Sequence, residues 1–470
     1  QHLVRSWIPP YGGLRKFRMT TIMKYLVIAG LFLLLTLGYF HPITALTQDL
    51  GRHLLTGNLI LSTHQIPSLN LFAYTYPDFP YISTHWLSQV LFAVIHNLFG
   101  FPGLFILMFL LIYSAFGFQV ASIRKQVGPL TLTVCGLLSL GILLERTDLR
   151  PELFSFFLLS FLTAILYRNR HKPTRLIYVL IPLQLLWVNL HIYFAIGLIT
   201  LGLFLVDMLF VHRKNLKSQP VYALSLVVIF STLVTLLNPH GIEGLLYPLH
   251  VFQNYGYTIE ENQTVFFLQS LGFNKPSFPY LFSYVVLLFT CLAISYKKTR
   301  LIDWLLAIVF TYLAFSAVRN LPLLIFATFI PFALAGEITL AKLRQVLPPL
   351  KQKEHGQYVI SGIILVLISW QAMVISQKAP LVPLGYAIAP GASHAVDFLI
   401  REKIPGPIFN NFDIGGYLIY RLYPREKVFV DGRPEAYPAS FFREEYIPMQ
   451  ENPELFHTLT DKYHFQTIFF

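Results

Sequence analysis

Charge is scarce in this sequence. Asp, Glu, Lys and Arg make up 12% of its 470 residues, where a soluble domain carries about a quarter. With 55% hydrophobic residues and a mean hydropathy of +0.58, that shortage excludes an ordinary soluble globule. Cysteine is nearly missing too. Cys135 and Cys291 both fall inside apolar blocks, so they read as small buried hydrophobes and a disulfide framework is excluded. Acidic residues number 23 against 35 basic ones, a net charge of +12. The excess does not indicate a nucleic-acid partner, because the basic residues sit in short clusters between apolar blocks, the pattern that orients membrane helices. Internal repeats and low-complexity tracts are lacking as well.

What the chain has is apolar blocks of roughly 17 to 22 residues, each able to cross about 30 Å of hydrocarbon as a helix. The first, "TTIMKYLVIAGLFLLLTLGYF", is too long for a signal peptide and has no small-residue cleavage site behind it. The chain opens on Gln and stops in "FQTIFF", so it is expected to be a piece of a longer protein. About eleven spans are expected, near 22–43, 103–122, 128–144, 152–167, 176–190, 193–211, 220–237, 279–296, 301–317, 321–337 and 357–376. With the N-terminus inside, Arg15, Lys16 and Arg18, then Arg124 and Lys125, then "RNRHKPTR", "HRKNLK", "KKTR" and "AKLRQVLPPLKQK" all fall at cytoplasmic turns.

Residues 44–102 then form a long external loop holding two helix-like stretches. "QDLGRHLLTGNLIL" is amphipathic and reads as a helix lying in the interface. "THWLSQVLFAVIHNLFG" is not counted as a span, since doing so would put every later basic cluster outside. Residues 379–470 change character: charged and apolar stretches alternate, punctuated by Pro and Gly. They read as helix ("ASHAVDFLIREK"), strand ("GPIFN"), helix ("IGGYLIYRLY"), strand ("EKVFVD"), two helices and a strand ("QTIFF"), a small α/β domain. The expected fold class is mainly α: a polytopic membrane helix bundle over 1–378, with a C-terminal α/β external domain over 379–470.

This topology gathers ionisable residues on the external face. The turn "ERTDLRPE" supplies Glu145, Arg146, Asp148, Arg150 and Glu152; "WVNLH" supplies Asn189 and His191; later segments supply His240, Glu260, Glu261, Arg319 and Asn320. Asp49 opens the external loop, followed by Arg52 and His53. Alone, Asp49 reads as a carboxylate in the first turn of a helix capped by Thr47. Arg150 alone could snorkel to headgroups, His191 could be a hydrogen-bonded interface histidine, and Arg319 with Asn320 could cap the spans they join. Together the set suits other chemistry, since ionisable groups at membrane depth tend to face a cavity or pathway. Guanidinium forks match phosphate oxygens, and carboxylates serve as a general base or as oxygen ligands of a divalent cation.

This order of parts resembles the GT-C superfamily of polyprenyl-phosphate-dependent glycosyltransferases: a first span, an external loop opening on an essential acid, two interfacial helices, many spans and an external C-terminal domain. The resemblance places Asp49 at the essential acid. It places "THWLSQ" at the second interfacial helix, where protein mannosyltransferases carry His-Pro-Pro and this chain has His85-Trp86-Leu87. It makes Asp148, or Glu145, a second acidic ligand. "TIEE" at 258–261 is similar to the Thr-Ile-x-Glu motif of oligosaccharyltransferase catalytic subunits, implying a role for Glu261, with Glu260 as alternate. "FNNFDIGGYLIYRLYPREKVFVDGR" resembles their Trp-Trp-Asp-Tyr-Gly segment, keeping Asp413 and Gly415 but not the tryptophans. The blocks "HWLS", "RPELF", "WVNLH", "LLNPHG", "RNLPL" and "GGYLIY…VFVDGR" are also similar to those of a group of uncharacterised bacterial membrane proteins.

The resemblance implies an inverting transferase moving a sugar from a polyprenyl phosphate or diphosphate to an external acceptor. Asp49 would be the general base or a metal-anchoring carboxylate. Asp49, Asp148 and Glu261 would hold a divalent cation such as Mg or Mn; Arg150 and Arg319 would bind donor phosphate; Asp413, Tyr417, Asp431 and Arg433 would bind acceptor. The expected setting is a bacterial cytoplasmic membrane, with membrane lipid and the lipid-linked donor as partners. A lipid-linked glycan flippase and a non-catalytic envelope assembly protein are the alternatives.

Overall fold

The apolar blocks fold as helices. The computed structural model describes residues 14–43, 49–251, 255–346, 362, 366–371, 373 and 393–470. The helices are α1 (Leu14–Tyr39), α2 (Leu50–Thr63), α3 (Trp86–Ile123), α4 (Pro129–Leu143), α5 (Glu152–Asn169), α6 (Leu180–Leu190), α7 (Phe194–Val211), α8 (Gln219–Val234), α9 (Gly241–His250), α10 (Val265–Ser270), α11 (Ser277–Ile294), α12 (Leu301–Ser316) and α13 (Leu321–Val346). Every expected span from 22–43 to 321–337 falls on one of them. The last, 357–376, lies mostly outside the described residues, of which 366–371 are helical. Among the described residues five helical stretches are long and apolar enough to cross a membrane: Thr21–Tyr39, Trp86–Ile123, Phe194–Val211, Ser277–Ile294 and Val318–Gln345. Pro129–Leu143, Arg175–Leu190, Gln219–Val234 and Leu301–Ser316 are shorter apolar helices. This is a polytopic helical membrane fold.

The two stretches expected as an interfacial helix and a following span are one helix, α3, broken at Gly100. There φ is 63° and ψ −160°, a backbone that glycine adopts without strain, and Pro102 follows. The break turns a 38-residue helix into two arms of different direction, so the first arm can lie beside α2 while the second joins the bundle.

In lipid, polar contacts distinguish the inside of a bundle better than hydrophobicity does. α5 is buried along nearly its whole length. Gln119 of α3 donates to Ser160 Oγ and Thr163 Oγ1 of α5 and to the Phe326 carbonyl of α13, each at 3.0 Å, and so ties three helices together. At the bundle end where α7 finishes and α12 starts, Asp207 pairs with Arg300 and accepts from the Ile302 amide, and Tyr167 donates to Asp303 at 2.8 Å.

The C-terminal part holds α14 (Ser393–Arg401), β1 (Ile408–Asn410), α15 (Gly415–Leu422), α16 (Pro453–Tyr463) and β2 (Thr467–Phe469). β1 and β2 pair in parallel, Ile408 opposite Thr467 and Asn410 opposite Phe469. The expected strand "EKVFVD" contributes only Val428, which bridges Ile408 on one side and Ala73 of the long loop on the other. On the loop edge Tyr74 N–H donates to the Val428 carbonyl and Val428 N–H to the Phe72 carbonyl, both at 3.0 Å, while on the β1 edge the Asn410 side chain accepts from the Phe429 amide at 2.9 Å and donates to the Val430 carbonyl at 2.8 Å, which ends the ladder after one residue. A second aromatic core follows from this contact. Ala73 and Tyr81 of the loop pack with Phe409, Phe429, Tyr437 and Phe441 of the C-terminal part. Loop and C-terminal part are one folded body.

Candidate functional site

Asp49 sits at the N-cap of α2, yet its side chain makes no capping hydrogen bond. Thr47 lies outside the described residues. The Asp49 carboxylate turns instead to arginine: Arg52 Nη2 donates to Oδ1 at 3.1 Å, and Arg150 Nη1 lies 3.7 Å from Oδ2. From these two pairs a chain of alternating charge extends both ways. Arg150 Nη1 lies 3.3 Å from Glu261 Oε2. Glu261 also pairs with Arg146, whose Nε donates to Glu152 Oε1 at 2.6 Å. In the other direction Arg52 Nε lies 4.0 Å from Asp431 Oδ1, and Arg433 forks onto both Asp431 oxygens at 2.7 Å. The order is Glu152, Arg146, Glu261, Arg150, Asp49, Arg52, Asp431, Arg433: four carboxylates and four guanidiniums in alternation, each inner member between two opposite charges.

The fold sets this order. "ERTDLRPE" is the tight turn between α4 and α5, which places Arg146 and Arg150 beside the start of α2. Glu261 is brought in by the loop before α10, where the Val318 amide donates to the Gln263 carbonyl at 3.1 Å and Arg319 Nη1 to Asn262 Oδ1 at 2.9 Å. The Arg319 guanidinium also lies over the Tyr193 ring, 5.7 Å from its centroid. Beside it, Lys275 joins Glu145 at 2.8 Å and Glu260 at 2.9 Å.

Electrostatics follow the geometry. Burial alone would raise the Glu261 carboxyl, but Arg146, Arg150 and Arg319 together hold it well below the usual carboxylate range. Burial likewise works against Asp431, and Arg433 and Arg52 keep it below its ordinary value. Asp413 goes the other way: partial burial raises it, and the charge of Asp49 raises it further. Asp49 thus contributes to the charge that Asp413 faces. Gly432 lies between loop and carboxylate; a Cβ there would come within 3.1 Å of Asp49 Oδ1.

Glu261 gives a pH signature with a definite sign. Unfolded, its carboxyl titrates near pH 4.3; folded, it stays ionised to lower pH. Its stabilising contribution is complete above that value and drains away as pH falls below it. E261Q is therefore expected to melt below wild type at pH 7, by roughly 2–5 °C. The gap should narrow between pH 4.5 and 3; melting curves in detergent over that range check it, and a gap constant with pH contradicts it.

The expected residues divide into two sets. Asp49, Arg150 and Glu261 are brought together, with Arg319 on the same loop-bearing end. Asp148 is half-buried in the turn that carries Arg146 and Arg150. Asp431 and Arg433, expected at an acceptor surface, are fully buried, bonded to each other, and fixed further by Tyr437 OH and Asn70 Oδ1. They position Arg52 and the loop. Tyr417 is buried and accepts from Arg421 at 2.8 Å, which removes it from an open surface; Asp413 is exposed. The expected cation set does not fit. Among the described residues no group of three or more His, Cys, Asp and Glu could hold a metal ion. The oxygens of Asp49 and Glu261 face guanidiniums, which a divalent cation would have to displace.

Sequence reasoning missed the partners. Arg52 was visible as a neighbour of Asp49, but its pairing with Asp431 depends on chain folding from far away. It also missed a column of histidine rings, His53 to His85 at 6.0 Å between centroids and His85 to His191 at 4.9 Å. The blocks "HWLS" and "WVNLH" meet there: Trp86 donates to Asn189 at 2.8 Å, and Ser88 donates to the Leu190 carbonyl. Burial and the neighbouring Arg52 charge keep His53 well below the usual imidazole range, so it is neutral. The signal available was that both blocks pair a Trp with a His within five residues.

No protein-family profile and no curated protein sequence matches the chain. Solved structures match in fold, two of them as follows. One is ArnT from Cupriavidus metallidurans in the apo state, at TM-score 0.54 and 12% identity, over 91% of this chain and 88% of that one. The other is ArnT from Cupriavidus metallidurans bound to undecaprenyl phosphate, at TM-score 0.51 and 12% identity, over 96% and 91%. The chain has the GT-C fold.

Proposed function

We propose that the chain is a membrane glycosyltransferase that moves a sugar from a polyprenyl phosphate or diphosphate carrier to a hydroxyl acceptor on the extracytoplasmic side. The observation that carries the reading is a partly exposed carboxylate, Asp49, held between Arg52 and Arg150 at one end of a fold shared with a structure bound to undecaprenyl phosphate. The side is argued from charge: the basic turns 124–125, 168–175 and 297–300 lie at the opposite end of the bundle from Asp49, as the positive-inside bias requires of cytoplasmic turns.

In this reading the acceptor oxygen attacks the anomeric carbon from the face opposite the phosphate. The bond from that carbon to the phosphate oxygen breaks, its electron pair stays with the leaving phosphate, and configuration inverts. The acceptor proton passes to Asp49 as general base. Arg150, Arg319 and their neighbours stabilise the charge that develops on the phosphate, where preorganised cations act most strongly. Asp413, exposed on the C-terminal part, serves as an acceptor contact. No step is routed through a metal ion.

The test is transfer of radiolabelled sugar, by the purified chain in proteoliposomes, from synthetic polyprenyl monophosphate and diphosphate sugars to extracted envelope lipid and glycan acceptors. Transfer with inverted anomeric configuration supports the reading; none with either carrier class sinks it. Within that assay G432A is expected to lower the rate about tenfold, because its Cβ displaces the base by a few tenths of an ångström. Its melting temperature should match wild type, and an unchanged rate would show that Asp49's position does not matter.

A further inference from the structure

The alternating chain is not uniformly tight. Away from Asp49 the contacts are short: Arg146 to Glu152 at 2.6 Å, Arg433 to both oxygens of Asp431 at 2.7 Å. Around Asp49 they lengthen to 3.1 Å for Arg52, 3.7 Å for Arg150, and 4.0 Å from Arg52 on to Asp431. Arg52 is buried to 5% exposure, and among the described residues its Nε has no hydrogen-bond acceptor. A buried guanidinium N–H without an acceptor costs free energy that an incoming anion can recover. Arg319 is in the same condition: its Nη1 bonds only an amide oxygen among the described residues, and its Nε is buried without an acceptor.

We propose that the donor phosphate competes with Asp49 for Arg52, so that donor binding draws Arg52, and Arg150 with it, off the carboxylate and unmasks the base. The inference rests on the glycosyltransferase reading and adds to it a ligand residue, Arg52, and an order of events. Without donor, both Asp49 oxygens face guanidiniums and offer little to an acceptor hydroxyl. The phosphodiester of a polyprenyl monophosphate sugar matches a carboxylate in charge and non-bridging oxygens, a diphosphate exceeds it in both, and the guanidinium fork fits either bidentately. Four carboxylates against four arginines leave the chain neutral, so arginines can be shared with a new anion only at the expense of an old pair. Arg150 lies farther from Asp49, at 3.7 Å, than from Glu261, at 3.3 Å, and Arg52 holds Asp49 through Nη2 alone while facing Asp431 at 4.0 Å, so these are the pairs that yield. Arg319 supplies the additional positive charge. Asp431 keeps Arg433, and Glu261 keeps Arg146, so neither buried acid is stranded when the central arginines turn.

Competition makes a prediction of unusual sign: removing the catalytic carboxylate should tighten the lipid. Binding of undecaprenyl phosphate to the detergent-purified full chain is measured for wild type, D49N, R52Q and the double variant. D49N is expected to bind about tenfold tighter and R52Q about tenfold weaker, each the equivalent of one charge-assisted hydrogen bond at 1.4 kcal/mol per tenfold. The gain from D49N should vanish in the R52Q background, since the contested group is then gone. D49N binding equal to or weaker than wild type, in protein that elutes and melts as wild type does, overturns the competition, as does an unaltered R52Q. Should R52Q fail to fold, the D49N arm decides alone. Wild type that binds neither undecaprenyl phosphate nor undecaprenyl diphosphate overturns the glycosyltransferase reading itself, whereas wild-type binding with no D49N gain overturns only the exchange.

Discussion

Replacing Asp49 by Asn is expected to lower sugar transfer by a factor of roughly 10²–10⁴, the range for loss of a positioned general base. Folding should survive. The side chain is 27% exposed, makes no capping bond to α2, and Asn keeps its shape while losing the ability to take a proton. Nor are the two arginines abandoned: Arg150 retains Glu261 at 3.3 Å and Arg52 faces Asp431 at 4.0 Å. The melting temperature should therefore stay within about 2 °C of wild type. A variant that keeps more than a third of the activity would remove Asp49 from the chemistry and favour an assembly role, in which the site is architectural.

The second large effect concerns stability. R433M is expected to cost about 3–5 kcal/mol, because it leaves the Asp431 carboxylate buried at 0% exposure without its bidentate partner. Arg433 also packs its guanidinium 5.3 Å from the Phe72 ring centroid and 5.0 Å from that of Tyr81, contacts that methionine only partly replaces. A fall of roughly 5–10 °C in melting temperature should follow, with aggregation on size-exclusion chromatography. The double variant D431L/R433M, which strands no buried charge, should recover at least half of that loss. If the double variant is as unstable as the single, the pair acts through its hydrogen bonds to Asn70 and Tyr437 rather than through charge compensation.

Much of this was written locally in the sequence. Span positions depend on runs of apolar residues, and the expected orientation on clusters of Lys and Arg, both of which a single pass along the chain reveals. Asp49, Arg150 and Glu261 were legible as residues placed at one end by that topology. Their partners were not. Which arginine meets which carboxylate depends on how three loops and the C-terminal part converge, and no periodicity encodes it. "VFVDGR" shows the cost: Asp431 and Arg433 looked like groups for an acceptor because they are charged and follow a resemblance motif. Their burial comes from Asn70 and Phe72, residues of the long loop. The single-residue bridge at Val428 was hidden for the same reason, since alternation in "EKVFVD" reports a half-buried face but not the neighbour that cuts the ladder short.

The second aromatic core joins segments that are made far apart in time. Asn70 donates to the carbonyl of Ala436 across a separation of 366 residues. At roughly 5–20 residues per second, the long loop waits roughly 20 to 70 s after synthesis for the segment that completes it. Through that interval Arg52 lacks Asp431 and Tyr81 lacks Arg433. A chain from which residues 393–470 have not yet emerged thus lacks the partners of the long loop, and truncations in that stretch are expected to leave the loop unfolded even with every helix through α13 intact.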